Sequence, residues 1–124
     1  MNTRIVELLL EVKKEFEGIK DIDEKVKMLN LIRTNIADIS PFEEPVDCVR
    51  WIPMDKVKAN EYNPNRVAST EMKLLHTSIK LDGYTQPIVA YKLDNGEYEV
   101  VDGFHRNRVG KEYKDINKRI HGYL

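Results

Sequence analysis

One cysteine, Cys48, is all that 124 residues supply. An intrachain disulfide is therefore excluded, and a reducing, cytoplasmic setting is the natural reading. No apolar run approaches the roughly 20 residues needed to cross a bilayer, so no membrane partner is expected. The opening MNTRIVELLLEVKKEFEG carries Glu7 and Glu11 inside its apolar stretch and is followed by no small-residue cleavage site, which argues against a secretory signal. Histidine is also scarce. His76, His105 and His121 are scattered and Cys48 stands apart from them, so the closely spaced ligand set of a structural zinc is missing. Net charge is nearly absent at −1, which argues against wholesale coating of DNA by this chain.

What remains is a soluble, globular composition, 41% hydrophobic and 33% charged, of a length that suits one domain with a small helical appendage. A chain of this size buries roughly two thirds of the surface its unfolded form exposes. Charge is uneven along it. Between Asp102 and Leu124 six basic residues (Arg106, Arg108, Lys111, Lys114, Lys118, Arg119) face three acidic ones (Asp102, Glu112, Asp115). The basic end is where a phosphate would go.

Hydropathy patterning predicts two helices first. Ile5, Leu8, Leu9, Val12 and Phe16 recur at helical spacing, with Gly18 as the stop. In DIDEKVKMLNLIRTNIADISP, Asp21 caps a second helix with Glu24 three residues on. Val26, Leu29, Ile32 and Ile36 form its stripe, and Pro41 bars continuation. The two stripes are expected to face each other as a helical hairpin over residues 1–40, packed on its own domain or serving a partner or a homodimer. PFEEPVDC, residues 41–48, reads as a linker, and residues 49–124 as an α+β domain. Within it CVRWIPMDKV suggests a strand, with Val49 and Trp51 on one face and Trp51 a core or hinge side chain. KANEYNPNRVA is turn-rich. STEMKLLHTSIKLDG is a helix capped by Ser69 or Thr70 and ended by Gly83, with Met72, Leu75 and Ile79 on one side and His76 partly exposed. Ile88–Leu93 and Glu97–Val101 form a hairpin around Asn95-Gly96. A short helix runs from Gly103 to about Val109, and a strand-like fragment closes the chain near Ile120–Leu124. The polar loops at 60–66, 83–87 and 102–106 are expected to converge.

EVVDGFHRNRVGKEY carries the chemistry. A strand ending at Val101, one glycine turn and a helix from Phe104 would leave free backbone N–H groups and a positive helix end at Gly103–Arg106, an arrangement suited to phosphate. Gly103 allows close approach, Arg106 offers bidentate bonds to phosphate oxygens and His105 one more. Arg108 points elsewhere, toward a structural ion pair or a DNA or partner contact, a role open also to Asn63, Asn65 and Arg66. A capped helix with a solvated basic face is the competing reading. Asp102 has three candidate roles: holding Mg²⁺ against phosphates, acting as a base on a substrate hydroxyl, or capping the helix. Tyr62 and Tyr84 lie in the candidate loops, where they either stack on a base or pack the loops. Phe104 plugs the core beneath.

GYTQPIVAY, followed a hairpin later by VVDGFHRNRVGKEY and preceded by IPMDKVKANEYNPNRV, resembles the N-terminal domain of ParB-type partition proteins, over about Trp51 to Tyr113. That family shares its fold with sulfiredoxins and a free-serine kinase. The resemblance implies a small ParB/sulfiredoxin-like mixed sheet with surrounding helices and a nucleotide-phosphate pocket. ParB proteins read Gly-Glu-Arg-Arg at the stretch that contacts CTP; here Gly103 and Arg106 match, His105 is a basic substitute and Phe104 replaces the glutamate. Gly83, Gln86 and Pro87 match the segment that approaches the nucleotide. Sulfiredoxins place their catalytic cysteine at the position of Phe104, which has no nucleophile, so that chemistry is excluded. The serine kinase reads Asp-Gly-His-His-Arg, matched by Asp102, Gly103, His105 and Arg106, and Glu61 stands near the place of its catalytic glutamate. A third ParB motif, Glu-Asn-x-Gln-Arg, and a DNA-reading helix-turn-helix are not found, and the chain reads as truncated or as a short relative. DGFHR with the later HGYL is most similar to ParB-like prophage transcriptional co-activators, which act beside a phosphoadenosine-phosphosulfate-reductase-like partner.

Three functions stand as expectations. The first is a nucleotide-binding regulatory module, taking CTP or ATP/ADP with Mg²⁺ and linked to DNA partition or prophage gene control, with DNA reached through additional domains or partners. The second is an enzyme, a nucleotide hydrolase or small-molecule kinase using Asp102 and Glu61, or a nuclease, although a nuclease wants more acidic metal ligands than Asp102 alone. The third is an interaction module with a vestigial phosphate pocket.

Overall fold

The computed structural model describes residues 2–59 and 69–124. They form an α+β fold that divides into two compact units, Met1–Arg50 and Trp51–Leu124.

In the first unit, α1 (Thr3–Glu17) and α2 (Ile22–Asp38) stand where the periodicity puts them. Each begins at a polar cap that gives an opening N–H an acceptor. The Asn2 carboxamide accepts from the Ile5 amide at 3.2 Å, and the Asp21 carboxylate from the Glu24 amide at 3.0 Å. Gly18 follows α1, and the Lys25 ammonium lies 5.1 Å from the centre of the Phe16 ring. Neither helix buries a residue. Beyond Ser40, residues Pro45–Asp47 make one 3₁₀ turn.

The second unit pairs a three-stranded sheet with three helices. β1 is only Val57–Lys58, after a 3₁₀ turn at Met54–Lys56. The strand expected across residues 48–57 is thus mostly absent. Pro53 lacks the N–H a ladder needs, and the backbone around it pairs instead with the chain's last residues. Ile52 and Leu124 exchange hydrogen bonds at 2.7 and 2.8 Å, and Pro53 bridges Tyr123. The expected C-terminal strand is accordingly a single bridge. α3 (Ser69–Asp82) buries Met72 and Ile79 as its spacing requires, and Gly83 ends it at φ 75°. Ser69 and Thr70 are the first two residues of α3; its cap lies outside the described residues.

β2 (Val89–Lys92) and β3 (Tyr98–Asp102) form the predicted antiparallel hairpin, with Gly96 at φ 85° in its turn. β3 is central, parallel to β1 and antiparallel to β2. The register of β2 and β3 slips by one residue at Val101, because Val89 faces Asp102 while Ala90 faces Val100. Such a bulge bends the strand end and re-aims the residues that leave it.

α4 (Phe104–Glu112) is longer than expected, and a second short helix, α5 (Lys114–Arg119), succeeds it. Met72 and Ile79 of α3, Val109 of α4 and Ile116 of α5 make the buried cluster, flanked by Leu75, Tyr84, Tyr113 and Ile120. The Arg119 guanidinium donates to the carbonyls of Ile79 and Lys80 at 2.7 and 3.0 Å, which satisfies the open C-terminal end of α3. His76 is no bystander. Its Nε2 lies 2.9 Å from both carboxylate oxygens of Asp115, and its ring stacks on Tyr113 with centroids 3.9 Å apart.

The packing is testable at two positions. A Cβ on Gly110 would meet the Tyr84 hydroxyl at 2.7 Å and Leu124 Cδ2 at 2.8 Å, so Gly110→Ala should cost about 1–3 kcal/mol of stability in urea denaturation. The hydrogen bond from His76 holds the Asp115 carboxyl below its ordinary value. A carboxyl depressed in the fold adds stability above its unfolded pKa and loses it as pH falls through the folded one. Asp115→Asn should therefore melt earlier than the parent chain above the carboxylate range, and the two should converge once pH falls below the lowered pKa of Asp115.

Candidate functional site

The turn between β3 and α4 is the site's foundation. Gly103 adopts φ 94° and ψ 29°, left-handed values that L side chains resist, and occupies the N-cap of α4. Glycine has no side-chain oxygen to offer, and no side chain caps α4. Asp102 is the last residue of β3. Of its three candidate roles, capping is the one the geometry removes. Among the described residues no acceptor takes the N–H groups of Phe104, His105 and Arg106, whereas the Asn107 N–H already bonds to the Gly103 carbonyl at 2.9 Å. Three amides at the positive end of a helix dipole are thus left without an acceptor among the described residues.

Arg106 folds back over this turn. A Cβ on Gly103 would sit 2.8 Å from its Nη2 and 3.1 Å from its Cζ, so the dihedral favours glycine and any side chain would also push the guanidinium aside. Nη2 donates to the Pro87 carbonyl at 3.2 Å and stands 4.0 Å from Asp102 Oδ2. The Asp102 side chain is 77% exposed, against 22% for Arg106. At that distance and exposure the pair is a weak one, so the guanidinium is not claimed by the acid. Its Nε is buried without an acceptor, and so, at consecutive positions, His105 Nδ1 and Asn107 Oδ1 lack partners. An orphaned buried polar group costs about 1–3 kcal/mol, and native folds tolerate few. The three stand at successive positions of α4, and of them the Arg106 Nε belongs to the side chain that lies over Gly103.

Gly83–Pro87 is held against the same helix end. The Tyr84 hydroxyl donates to the Arg106 carbonyl at 2.8 Å, and burial pushes its phenol up to about 12, although the nearby Arg119 and Arg106 pull the other way. Tyr84 therefore works as a packed tie rather than as a stacking platform. The 83–87 and 102–106 loops thus meet at Arg106, through Tyr84 and Pro87, and Gln86 and Pro87 are exposed. Arg108 lies apart, its Nε and Nη2 donating to the Glu112 carboxylate at 3.2 and 3.3 Å. Phe104 is half-buried. Glu61, Tyr62, Asn63, Asn65 and Arg66 fall outside the described residues.

Of the two readings open to Tyr84, packing the loops is the one the structure shows. Sequence reasoning overlooked Gly110, the gap that admits its hydroxyl. That position did leave a signal, because a glycine inside a helix costs about 1 kcal/mol and usually marks a close approach. The open amides, the cradle over Gly103 and the orphaned Nε together fit a phosphate. For Mg²⁺ the donor set is thinner, since among the described residues no three His, Cys, Asp or Glu side chains gather.

Comparison with known proteins agrees with this geometry. The ParB N-terminal domain model matches residues 39–120. The uncharacterized protein YbdM of Escherichia coli is 50% identical over 103 residues, which are 82% of this chain and 49% of that protein. The nucleoid occlusion proteins of Listeria monocytogenes serotype 4b and Listeria innocua serovar 6a are each 34% identical over 67 residues, 53% of this chain and 24% of theirs. The chain thus spans about half the length of YbdM and about a quarter of the occlusion proteins. A glycine-cradled helix start, an arginine folded over it and a family match across two thirds of the sequence lead to one conclusion: this chain belongs to the ParB N-terminal domain family.

Proposed function

We propose that this chain is a nucleotide-phosphate-binding regulatory domain of a ParB-like protein, acting in DNA partition or in prophage transcriptional co-activation. The observation that carries the reading is the uncapped start of α4, whose three open amides lie beside a guanidinium that only a weak, exposed pair with Asp102 at 4.0 Å engages. In this reading the amides of Phe104, His105 and Arg106 bind phosphate oxygens. Arg106 adds charge-assisted bonds to them, and the Gly83–Pro87 loop closes one side. The ligand is CTP or ATP/ADP. Mg²⁺ would take Asp102 as its protein ligand and draw its remaining ligands from phosphate and water, a common arrangement for this ion. DNA is reached through further domains or partners, one of them a phosphoadenosine-phosphosulfate-reductase-like protein. Resemblance to nucleoid occlusion proteins over the matched segment supports a role near DNA.

Calorimetry and thermal shift with CTP, ATP, ADP and GTP, each with Mg²⁺, test this. A ligand at 100 times its dissociation constant should stabilise the fold by about 2.7 kcal/mol. Arg106→Ala should weaken binding by about ten- to a hundredfold, the worth of a charge-assisted hydrogen bond; unchanged affinity would defeat the reading. Gly103→Ala should cost about 1–2 kcal/mol of folding stability through the left-handed turn and should displace the guanidinium, so its affinity should fall with that of Arg106→Ala. Phosphoryl transfer stays separable, because Asp102→Asn would abolish turnover of a nucleotide in an enzyme and would leave no product to lose in a regulatory domain.

A further inference from the structure

HGYL, residues 121–124, has no part in the site described so far, yet its backbone is strained. His121 stands at φ 55° and Gly122 at φ 78°, two left-handed residues in succession, a conformation that a side chain such as histidine resists. The reversal turns the chain back from α5 onto residues 52–54. Ile52 and Leu124 exchange two backbone hydrogen bonds, and the Met54 N–H donates to the Gly122 carbonyl at 2.9 Å. Tyr123 is buried. Strain that the surroundings hold in place directs attention to what the turn delivers, and it delivers Leu124.

Leu124 reaches α4 at its glycine. The point where a Cβ on Gly110 would stand is 2.8 Å from Leu124 Cδ2, 2.7 Å from the Tyr84 hydroxyl oxygen and 3.4 Å from Ile120 Cδ1. The phenol thus sits in a slot over bare backbone, with two aliphatic side chains crowding the same point. From that slot its hydroxyl donates to the Arg106 carbonyl at 2.8 Å, and further along the same loop the Pro87 carbonyl accepts from Arg106 Nη2 at 3.2 Å. One short loop therefore grips Arg106 by its main chain and by its guanidinium, and the seat of Tyr84 fixes where that loop lies. We propose that residues 120–124 are a positioning strap for Arg106: Ile120 and Leu124 wedge Tyr84 over Gly110, and Tyr84 aligns the loop that holds the guanidinium over Gly103. Every residue of this relay belongs to the unit Trp51–Leu124. The positioning stands apart from any ligand, whereas its use in binding rests on the phosphate reading.

Solvent exchange of the Arg106 Nε–H, followed by heteronuclear NMR on the 124-residue chain, tests the relay without a ligand. That nitrogen is buried, so its proton should exchange slowly in the parent. Leu124→Ala should speed exchange at least about tenfold, Ile120→Val should do so to a smaller degree, and Leu124→Met should restore the parent rate. Tyr84→Phe should match Leu124→Ala, and the two combined should add nothing further, because both break one relay. Asp115→Asn, which loosens the fold elsewhere, should leave the rate unchanged, so lost stability alone does not imitate the effect. Calorimetry with CTP, ATP, ADP and GTP, each with Mg²⁺, reads the consequence, and Leu124→Ala should weaken binding as Tyr84→Phe does. A parent that binds none of them counts against the phosphate reading alone, and the exchange rates still decide the strap. Faster exchange with unchanged affinity would deny the strap its part in binding. The strap itself is overturned if Leu124→Ala leaves Arg106 exchange unchanged, if its effect simply adds to that of Tyr84→Phe, or if the parent Nε–H already exchanges freely.

Discussion

Gly103 must enter α4 through a left-handed turn with an arginine resting on it, and most of the site's character descends from that requirement. Any side chain here would oppose the dihedral and expel the guanidinium at once. Because glycine brings no oxygen, the helix also opens without the cap that Asn2 and Asp21 provide in α1 and α2. A missing cap costs about 1 kcal/mol, and the orphaned Arg106 Nε adds a comparable cost. α5 also opens without a side-chain cap, but at Gly103 the missing cap coincides with a left-handed turn and with an orphaned guanidinium nitrogen. Such clustering is what the proposed phosphate site requires.

The surroundings are arranged so that the turn survives these costs. The bulge at Val101 bends the end of β3 just before the turn. Val109 and the fully enclosed Asn107 anchor α4 in the interior, and Asn117 of α5 donates to the Gly110 carbonyl at 3.2 Å. Arg119, part of the basic C-terminal excess, closes the end of α3 and so is structural rather than available to phosphate. Arg108 is likewise engaged with Glu112. Much of the positive charge that made the C-terminal segment look like an anion surface is thus occupied in holding helices, and the site's charge narrows to Arg106.

How far the sequence disclosed this depended on how local each cause was. Asn95-Gly96, the Asp21 cap, the apolar spacing of Met72, Leu75 and Ile79 and the glycine after α3 act within a few residues, and each was legible. So was the separation of Arg108 from Arg106, which helical periodicity alone dictates. The strand expected at CVRWIPMDKV shrank to Val57–Lys58 because its partners lie some 70 residues away at Gly122–Leu124, a distance no alternation pattern encodes. α5 went unseen because six residues with one buried apolar side chain, Ile116, show no period. At the site, the convergence of the 83–87 and 102–106 loops was anticipated, but its agents, the Tyr84 hydroxyl and the Pro87 carbonyl, were not. His76 read as unremarkable because its partner Asp115 is 39 positions downstream.

α4 is secured near both ends. Tyr84 grips its first turn. In its last turn the Lys111 ammonium reaches the Val57 carbonyl, and burial, together with the nearby Lys58, draws that amine below its ordinary pKa. A rod fastened twice slides poorly. On the proposed reading, a phosphate over Gly103 would meet a fixed anvil, and accommodation would fall to the Arg106 side chain and the short span between Gly83 and Pro87. Recognition would then be the work of a latch rather than of a moving helix, and a signal passed to the rest of this unit would leave along the loop into β2.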